Sequence, residues 1–90
     1  MLIIKRHKSF LKDLRKIQLS DKHFSKYIVY LSKLIEKVDL PQEALNHPLK
    51  GEYAGYYEFH ISGDVLVVYK IKDNQLWLMR IGSHSELFKR

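Results

Sequence analysis

Cysteine is absent from this sequence of 90 residues, so disulfide bonds and thiolate metal sites are excluded. Secreted chains of this length usually carry disulfides, and their absence therefore favours a reducing compartment and a cytoplasmic location. Long hydrophobic runs are also missing. The apolar run at residues 2–4 is followed at once by charged residues, unlike a signal peptide. No stretch approaches the roughly 18 apolar residues of a membrane span, so we expect no contact with a membrane.

Proline and glycine are scarce, with two and four residues respectively, and no repeat or low-complexity segment is present. Hydrophobic residues make up 46% of the chain and include six Tyr, four Phe and one Trp. That is enough apolar material for a folded core, and it argues against disorder. The length leaves room for one domain, residues 1–90.

Acidic residues are outnumbered, since ten Asp and Glu face sixteen Lys and Arg, which gives a net charge of +6. A small domain with this excess of positive charge is a candidate for polyanion binding, and we interpret the charge as a contact surface for nucleic acid. The alternative is a solvated surface whose charge only aids solubility.

The spacing of apolar residues predicts two amphipathic helices followed by three strands. One helix covers residues 7–18, and another covers residues 21–38 with an apolar stripe that contains Phe24, Ile28, Leu31 and Ile35. Strand-like runs cover residues 2–4, 55–61, 64–71 and 75–81. The order β-α-α-β-β-β predicts an α+β fold, in which the two helices pack on one face of a mostly antiparallel, four-stranded sheet.

Alternation along the strands assigns side chains to the two faces of this sheet. We expect two-residue turns at 62–63 and 73–74, which would place Phe59 opposite Leu66 and Val68 opposite Met79. In that register these four side chains face the helices. The opposite face then carries Glu58, His60 and Arg80. An ordinary half-exposed sheet surface with cross-strand charge pairs would show the same pattern.

Three histidines in the second half of the chain suggest acid–base chemistry on RNA: His47, His60 and His84. RNA carries its own nucleophile, the 2′-hydroxyl group, so an enzyme needs a base, an acid for the leaving 5′-oxygen and a cation for the charge on phosphorus. Imidazole exchanges protons near neutral pH, and the planar guanidinium of Arg80 suits phosphate oxygens. His60 or Asp64 would be the base and His84 the acid, with no metal or cofactor. A zinc site built from the three histidines is the alternative.

Several of these residues belong to a pattern that resembles a known toxin family. The pattern consists of His47-Pro48-Leu49, residues 55–61, Asp64, residues 66–69, residues 80–84 and Leu87-Phe88. Spread over residues 47–88, it resembles the YafQ branch of the RelE toxin superfamily. The helical half is similar only in its pattern, and the order of elements fits a RelE-like fold.

The resemblance implies an mRNA interferase, a metal-independent endoribonuclease that cuts messenger RNA on the ribosome. On the matching positions it places catalytic residues at His47, His60, Asp64, Arg80 and His84. Phe88 would stack on a base, and Glu58 and Lys50 are further candidate substrate-binding residues. The implied partners are mRNA, ribosomal RNA contacted by the basic helices, and a cognate antitoxin protein. The competing hypothesis is a basic module that binds RNA or the ribosome without cutting it.

Overall fold

The centre of the fold is a five-stranded sheet with the strand order β1-β5-β4-β3-β2, seen in a computed structural model that describes residues 1–88. The strands are β1 (Ile3–Arg6), β2 (His47–Pro48), β3 (Tyr57–His60), β4 (Leu66–Lys72) and β5 (Gln75–Gly82). Strand β1 runs parallel to β5, and the other neighbours are antiparallel. The sheet is therefore mixed.

The predicted α+β class is confirmed, but the predicted four-stranded sheet is wrong by one strand. The additional strand, β2, pairs with β3 at the edge of the sheet, with His47 opposite Glu58 and Pro48 opposite Tyr57. It has two residues, one of them proline, and so carries no alternating pattern that a sequence reading could detect.

Residues 1–88 also contain three α-helices, α1 (Lys8–Lys16), α2 (Asp21–Ile35) and the short α3 (His84–Leu87). Single turns of 3-10 helix lie at Gln42–Ala44 and Gly51–Tyr53. The side chains of His7 and Ser20 cap α1 and α2 by accepting hydrogen bonds from backbone N–H groups. None of the helices within residues 1–88 has the length and apolar character that crossing a bilayer requires.

The predicted arrangement of two helices is incomplete, because α3 was not predicted and its Leu87 packs on the opposite face of the sheet from α1 and α2. Helices α1 and α2 share one face. Their contribution to the main core is Phe10, Tyr27, Tyr30, Leu31 and Leu34. The predicted stripe of α2 is only partly correct, because Phe24 and Ile28 are 52% and 47% exposed. The helix also ends at Ile35 rather than residue 38, and Lys37 follows in a left-handed conformation with φ of 59°. That conformation cannot continue a right-handed helix.

The register of the hairpins differs from the prediction in two places. Asp73 and Asn74 form the expected two-residue turn, with φ of 52° and 62°, as a type I′ turn requires. A β-bulge between Val68 and Tyr69 then shifts the pairing, so Val68 lies opposite Arg80 instead of Met79. In the other hairpin three residues, 62–64, connect the strands, and Phe59 therefore lies opposite Val67 instead of Leu66.

These shifts reverse the predicted faces of β4. Val67 and Tyr69 point into the main core, together with Phe59, Leu78 and Ile81. Leu66 and Val68, which we expected beside the helices, lie on the opposite face and form a second cluster with Leu87. The side chains of β3 alternate as predicted, and the bulge restores the predicted alternation of β5 beyond Met79. Glu58, His60 and Arg80 therefore still share that opposite face.

Candidate active site

A row of side chains crosses four strands on the face away from α1 and α2. The pairings place His47 of β2 next to Glu58 of β3, Glu58 next to Val68 of β4, and Val68 next to Arg80 of β5. Neighbouring strands lie about 4.8 Å apart, so the row spans roughly three such steps. The fold therefore brings a distant histidine and a distant arginine onto one short stretch of sheet.

Glu58 is the centre of this row. It is only 5% exposed, and its Oε2 atom lies 3.0 Å from Nε2 of His60 and 3.3 Å from Nε2 of His47. The two imidazole rings stack with a centroid separation of 6.3 Å. A carboxylate only accepts hydrogen bonds, so the hydrogen bond with His60 fixes this ring with Nε2–H toward Glu58. For His60, this leaves Nδ1 as the atom that can take a proton.

The loop that carries His47 is held by two further hydrogen bonds. Nδ1 of His47 lies 2.5 Å from the carbonyl oxygen of Leu45. The hydroxyl of Tyr69 donates to Oδ1 of the neighbouring Asn46. Burial of this phenol raises the pKa of Tyr69 to about 12. The core face of the sheet thus anchors the segment that presents His47 on the other side.

A cleft of about 520 Å³ lies in front of Glu58. This volume is within the range of ~300–1,000 Å³ for sites of small ligands, so a nucleotide can enter it. Its lining brings together residues from β2, β3, α3 and the connecting loop: His47, Leu49, Lys50, Glu52, Tyr53, Glu58, His84 and Phe88. Five of the predicted site residues therefore meet in one cavity, and His60 contacts it through Glu58.

His84 is the first residue of α3, and a capping box determines where this helix begins. The Ser83 hydroxyl accepts from the backbone N–H of Glu86, and the Glu86 carboxylate accepts from the backbone N–H of Ser83. These hydrogen bonds from Ser83 lower the pKa of Glu86 below its ordinary value. The cap is therefore intact at neutral pH, where Glu86 is ionised.

Phe88 ends α3, and its ring lies 5.0 Å from that of His84 and 5.1 Å from that of Tyr53 between centroids. The Tyr53–Phe88 contact is edge-to-face, which is a favourable aromatic geometry. Sequence analysis missed Tyr53. Its signal was weak, because one aromatic residue in a turn between Gly51 and Gly55 has no periodicity to classify it.

Arg80 and Asp64 do not line this cleft. They border a second one, on the other side of α3, together with Asp13, Ser83 and Glu86. Arg80 also lines a third cavity that shares Glu52 and Tyr53 with the first. The structure therefore divides the predicted catalytic set into an imidazole group and an Arg80–Asp64 group, with α3 and Tyr53 between them.

Asp13 of α1 is a second residue that sequence analysis missed. Its carboxylate accepts from Nε and Nη2 of Arg80, at 2.6 Å and 3.1 Å, and from the backbone N–H of Ile81 at 3.1 Å. The hydrogen bonds from Arg80 to Asp13 raise the pKa of this guanidinium. No sequence signal links two residues that lie 67 positions apart.

The described residues offer no ligand set for the alternative zinc site. In the part of the chain that the structure describes, no group of three or more His, Asp and Glu is arranged to hold a metal ion. His84 lies with Phe88 rather than with the other two imidazoles.

Comparisons with known proteins agree with this architecture. A family model described as YafQ, bacterial toxin of type II toxin-antitoxin system, matches residues 2–89. The mRNA interferase toxin YafQ of Escherichia coli K12 is 35% identical over 79 residues, which cover 86% of this chain and 85% of that protein.

Two solved structures are also similar over nearly the whole chain. A copper-bound mutant toxin from Helicobacter pylori is 40% identical with a TM-score of 0.85, covering 98% of this chain and 100% of that one. A chain of the E. coli DinJ-YafQ complex is 30% identical with a TM-score of 0.83, covering 98% of this chain and 99% of that one.

Proposed function

The chain belongs to the YafQ family of type II toxins and is an mRNA interferase, and we propose that the cleft between Glu58 and α3 is its catalytic centre. The observation that carries the proposal is the buried Glu58 carboxylate between two imidazoles, facing His84 and Phe88 across one cavity. Imidazoles and a carboxylate that converge in one cleft are the groups that acid–base catalysis needs.

The reaction is attack of the RNA 2′-hydroxyl group on the adjacent phosphorus. A base takes the 2′ proton, a bond forms between the 2′-oxygen and phosphorus, the bond to the 5′-oxygen breaks, and an acid donates a proton to that oxygen. His60 supplies the base through Nδ1, because Nδ1 of His47 already faces the carbonyl oxygen of Leu45 and its Nε2 faces Glu58. His84 is the acid. Asp64 is a weaker candidate for the base because it lines the second cleft, whereas Arg80 also lines the cavity that shares Glu52 and Tyr53 with the proposed centre.

Binding of the substrate uses the remaining residues of the cleft and of its border. Phe88 and Tyr53 offer aromatic surfaces on which a splayed base stacks. Lys50 and Arg80 supply positive charge for the phosphate and for the charge that develops on phosphorus. Glu58, which we expected to contact substrate, is better suited to orient the two histidines, since it is buried and already engaged.

We also propose that residues 1–90 act as one RelE-like toxin domain in the cytoplasm, with ribosome-bound mRNA as substrate and an acidic antitoxin as inhibitor. Support for the antitoxin comes from the E. coli relative, which forms a complex with DinJ. Support for the ribosome comes from basic side chains on the two long helices: Lys12, Arg15, Lys16, Lys22, Lys26 and Lys33. Such residues position a protein on phosphates without reading sequence.

The test replaces His84 and Arg80 with alanine, singly and together. We expect each variant to lose growth arrest on induced expression and to cleave a defined message in a translation extract much more slowly than the parent. His23→Ala, on α2 and away from the cleft, is the matched control and should remain as toxic as the parent. A folded double variant with parental toxicity would contradict the assignment. Stable RNA complexes with no cleavage by the parent would favour the binding-module hypothesis.

Chelation separates side-chain catalysis from metal catalysis. If proton transfer by the imidazoles suffices, a chelator selective for zinc, which leaves the Mg²⁺ of the ribosome in place, does not change the cleavage rate. Loss of cleavage with this chelator, with recovery on addition of zinc, would support the metal-dependent alternative and contradict the mechanism above.

A further inference from the structure

We propose that Asp13 is a positioning residue for RNA cleavage, which holds the Arg80 guanidinium with one edge turned toward the substrate phosphate. The inference rests on the proposed function, because Arg80 acts there on the phosphate. It concerns a residue of α1, outside residues 47–88 that carry the catalytic pattern.

The pairing uses one particular edge of the guanidinium. Arginine has five N–H donors arranged in a planar fork. Asp13 accepts from Nε and Nη2, at 2.6 Å and 3.1 Å, which is the side-on edge of the group. The end-on edge is formed by the second N–H of Nη2 and by Nη1, which do not donate to Asp13. That edge is the one that can donate two parallel hydrogen bonds to phosphate oxygens.

Asp13 itself is fixed by the sheet. Strand β1 pairs with β5 only as far as Leu78, so the outer edge of β5 is uncovered beyond that residue. Helix α1 follows β1 directly and lies against this edge, where Asp13 also accepts from the backbone N–H of Ile81. The carboxylate thus has three hydrogen bonds in all, and its side chain is only 14% exposed. Arg80 is consequently tied to the backbone of its own strand.

This geometry differs from an ordinary surface ion pair. Exposed pairs hold two long side chains loosely and contribute little, whereas a side-on pair with a third hydrogen bond restricts the plane of the guanidinium. Donors that are oriented before the reaction stabilise developing charge without reorganisation. A displacement of about 1 Å in such a group can reduce the rate about 100-fold.

Asp13 partly neutralises the charge of Arg80, so we expect its removal to have different effects on the cleavage rate and on the binding of RNA. Removing the carboxylate leaves Arg80 more positive and less oriented. Attraction of the RNA backbone is then retained or strengthened, while the rate of bond breaking falls. We therefore expect a lower kcat with no rise in KM. Neither the loss of a substrate contact nor a smaller folded fraction with altered binding would produce this combination.

The experiment compares Asp13→Asn with Asp21→Asn, which removes the same charge from the exposed start of α2. Cleavage of a defined message is followed in single turnover over a range of toxin concentrations, and melting temperatures are recorded. We expect Asp13→Asn to cut 10- to 100-fold more slowly at saturation, with an unchanged or lower half-saturating concentration, as about a 1 Å misplacement predicts. Asp21→Asn should match the parent.

A double-variant cycle completes the test. In an Arg80→Ala background, Asp13→Asn should cause no further loss of rate, because its target is gone. If Asp13→Asn does not fold, Arg80→Lys serves instead, since it keeps the charge but lacks the side-on edge, and we expect the same loss of rate. Parental cleavage by folded Asp13→Asn or Arg80→Lys would overturn the inference, as would an equal loss in the Arg80→Ala background. A parent and Asp21→Asn that cut no RNA would instead defeat the proposed function.

Discussion

At the scale of single residues, Glu58 is the centre of the proposed catalytic site. A buried carboxylate is costly unless it is paired and hydrogen-bonded, and here two imidazoles provide the pairing. We therefore expect cleavage of RNA and the stability of the fold to depend on the same contacts.

Replacing Glu58 by glutamine tests this dependence. Gln has the same shape, and its oxygen can still face both rings, but it lacks the negative charge that strengthens these contacts. We expect Glu58→Gln to lower the saturating cleavage rate at least 10-fold and the free energy of unfolding by about 1.5–3 kcal/mol, the usual contribution of hydrogen bonds to charged groups. Urea denaturation and single-turnover cleavage measure the two effects.

Glu52→Gln provides the control, because Glu52 lines the same cleft but is exposed. Its stability and cleavage rate should remain close to those of the parent. A Glu58→Gln protein with the parental cleavage rate would show that neither imidazole needs its carboxylate partner.

At the scale of elements, α3 connects the fold to the reaction. It has four residues, begins with His84 and is followed by Phe88. A helix this short has little stability of its own. Its conformation depends on the Ser83–Glu86 capping box and on Leu87, which packs into the second apolar cluster. The cap therefore orients the proposed general acid.

Removal of the cap should affect activity more than stability. We expect Ser83→Ala to lower the cleavage rate several-fold, because His84 loses its fixed position, while the melting temperature changes little. Ser20→Ala is the matched control, since Ser20 caps α2 in the same way. It should cost about 1 kcal/mol of stability, as N-cap substitutions do, without changing the rate. Equal cleavage rates in the two variants would show that α3 keeps its geometry without the cap.

The stability of the Ser83–Glu86 cap also depends on pH, and its direction follows from the pKa of Glu86. The folded-state pKa of Glu86 is lowered by the hydrogen bonds from Ser83. Ionised Glu86 therefore contributes stability above its ordinary pKa, and this contribution is lost as the pH falls through the lowered value. Loosening of α3 is consequently an acid effect, well below the pH at which imidazoles work as acid and base.

At the scale of the whole molecule, we expect the net charge of +6 to favour the binding of RNA. We expect the binding constant of the His84→Ala protein for single-stranded RNA to fall linearly with salt on a logarithmic plot. Each phosphate contact adds about 0.7 to the magnitude of the slope. Replacing Lys16 and Lys50 together by glutamine should reduce the slope by up to ~1.4 if both contact phosphate. Fluorescence anisotropy over a series of salt concentrations measures this, and an unchanged slope would exclude both lysines from the interface.

Local pattern accounts for much of the architecture. The two long helices, the later strands, the turn at Asp73-Asn74 and the alternation of β3 all follow from interactions between residues close in sequence, which propensity and periodicity describe. The face of β3 that carries Glu58 and His60 was therefore predictable. So was the family, because its motifs lie in the contiguous stretch from residue 47 to residue 88.

Long-range geometry decided the rest. The three-residue connection at 62–64 and the bulge beside Met79 set the register of the two hairpins. Each of them shifts the pairing by one residue, which moves side chains to the opposite face of the sheet. The pairing of β2 with β3 brought His47 to Glu58, and the end of β1 placed Asp13 beside Arg80. These contacts join residues that no local preference connects, since they form only when the sheet is assembled and its edges are filled.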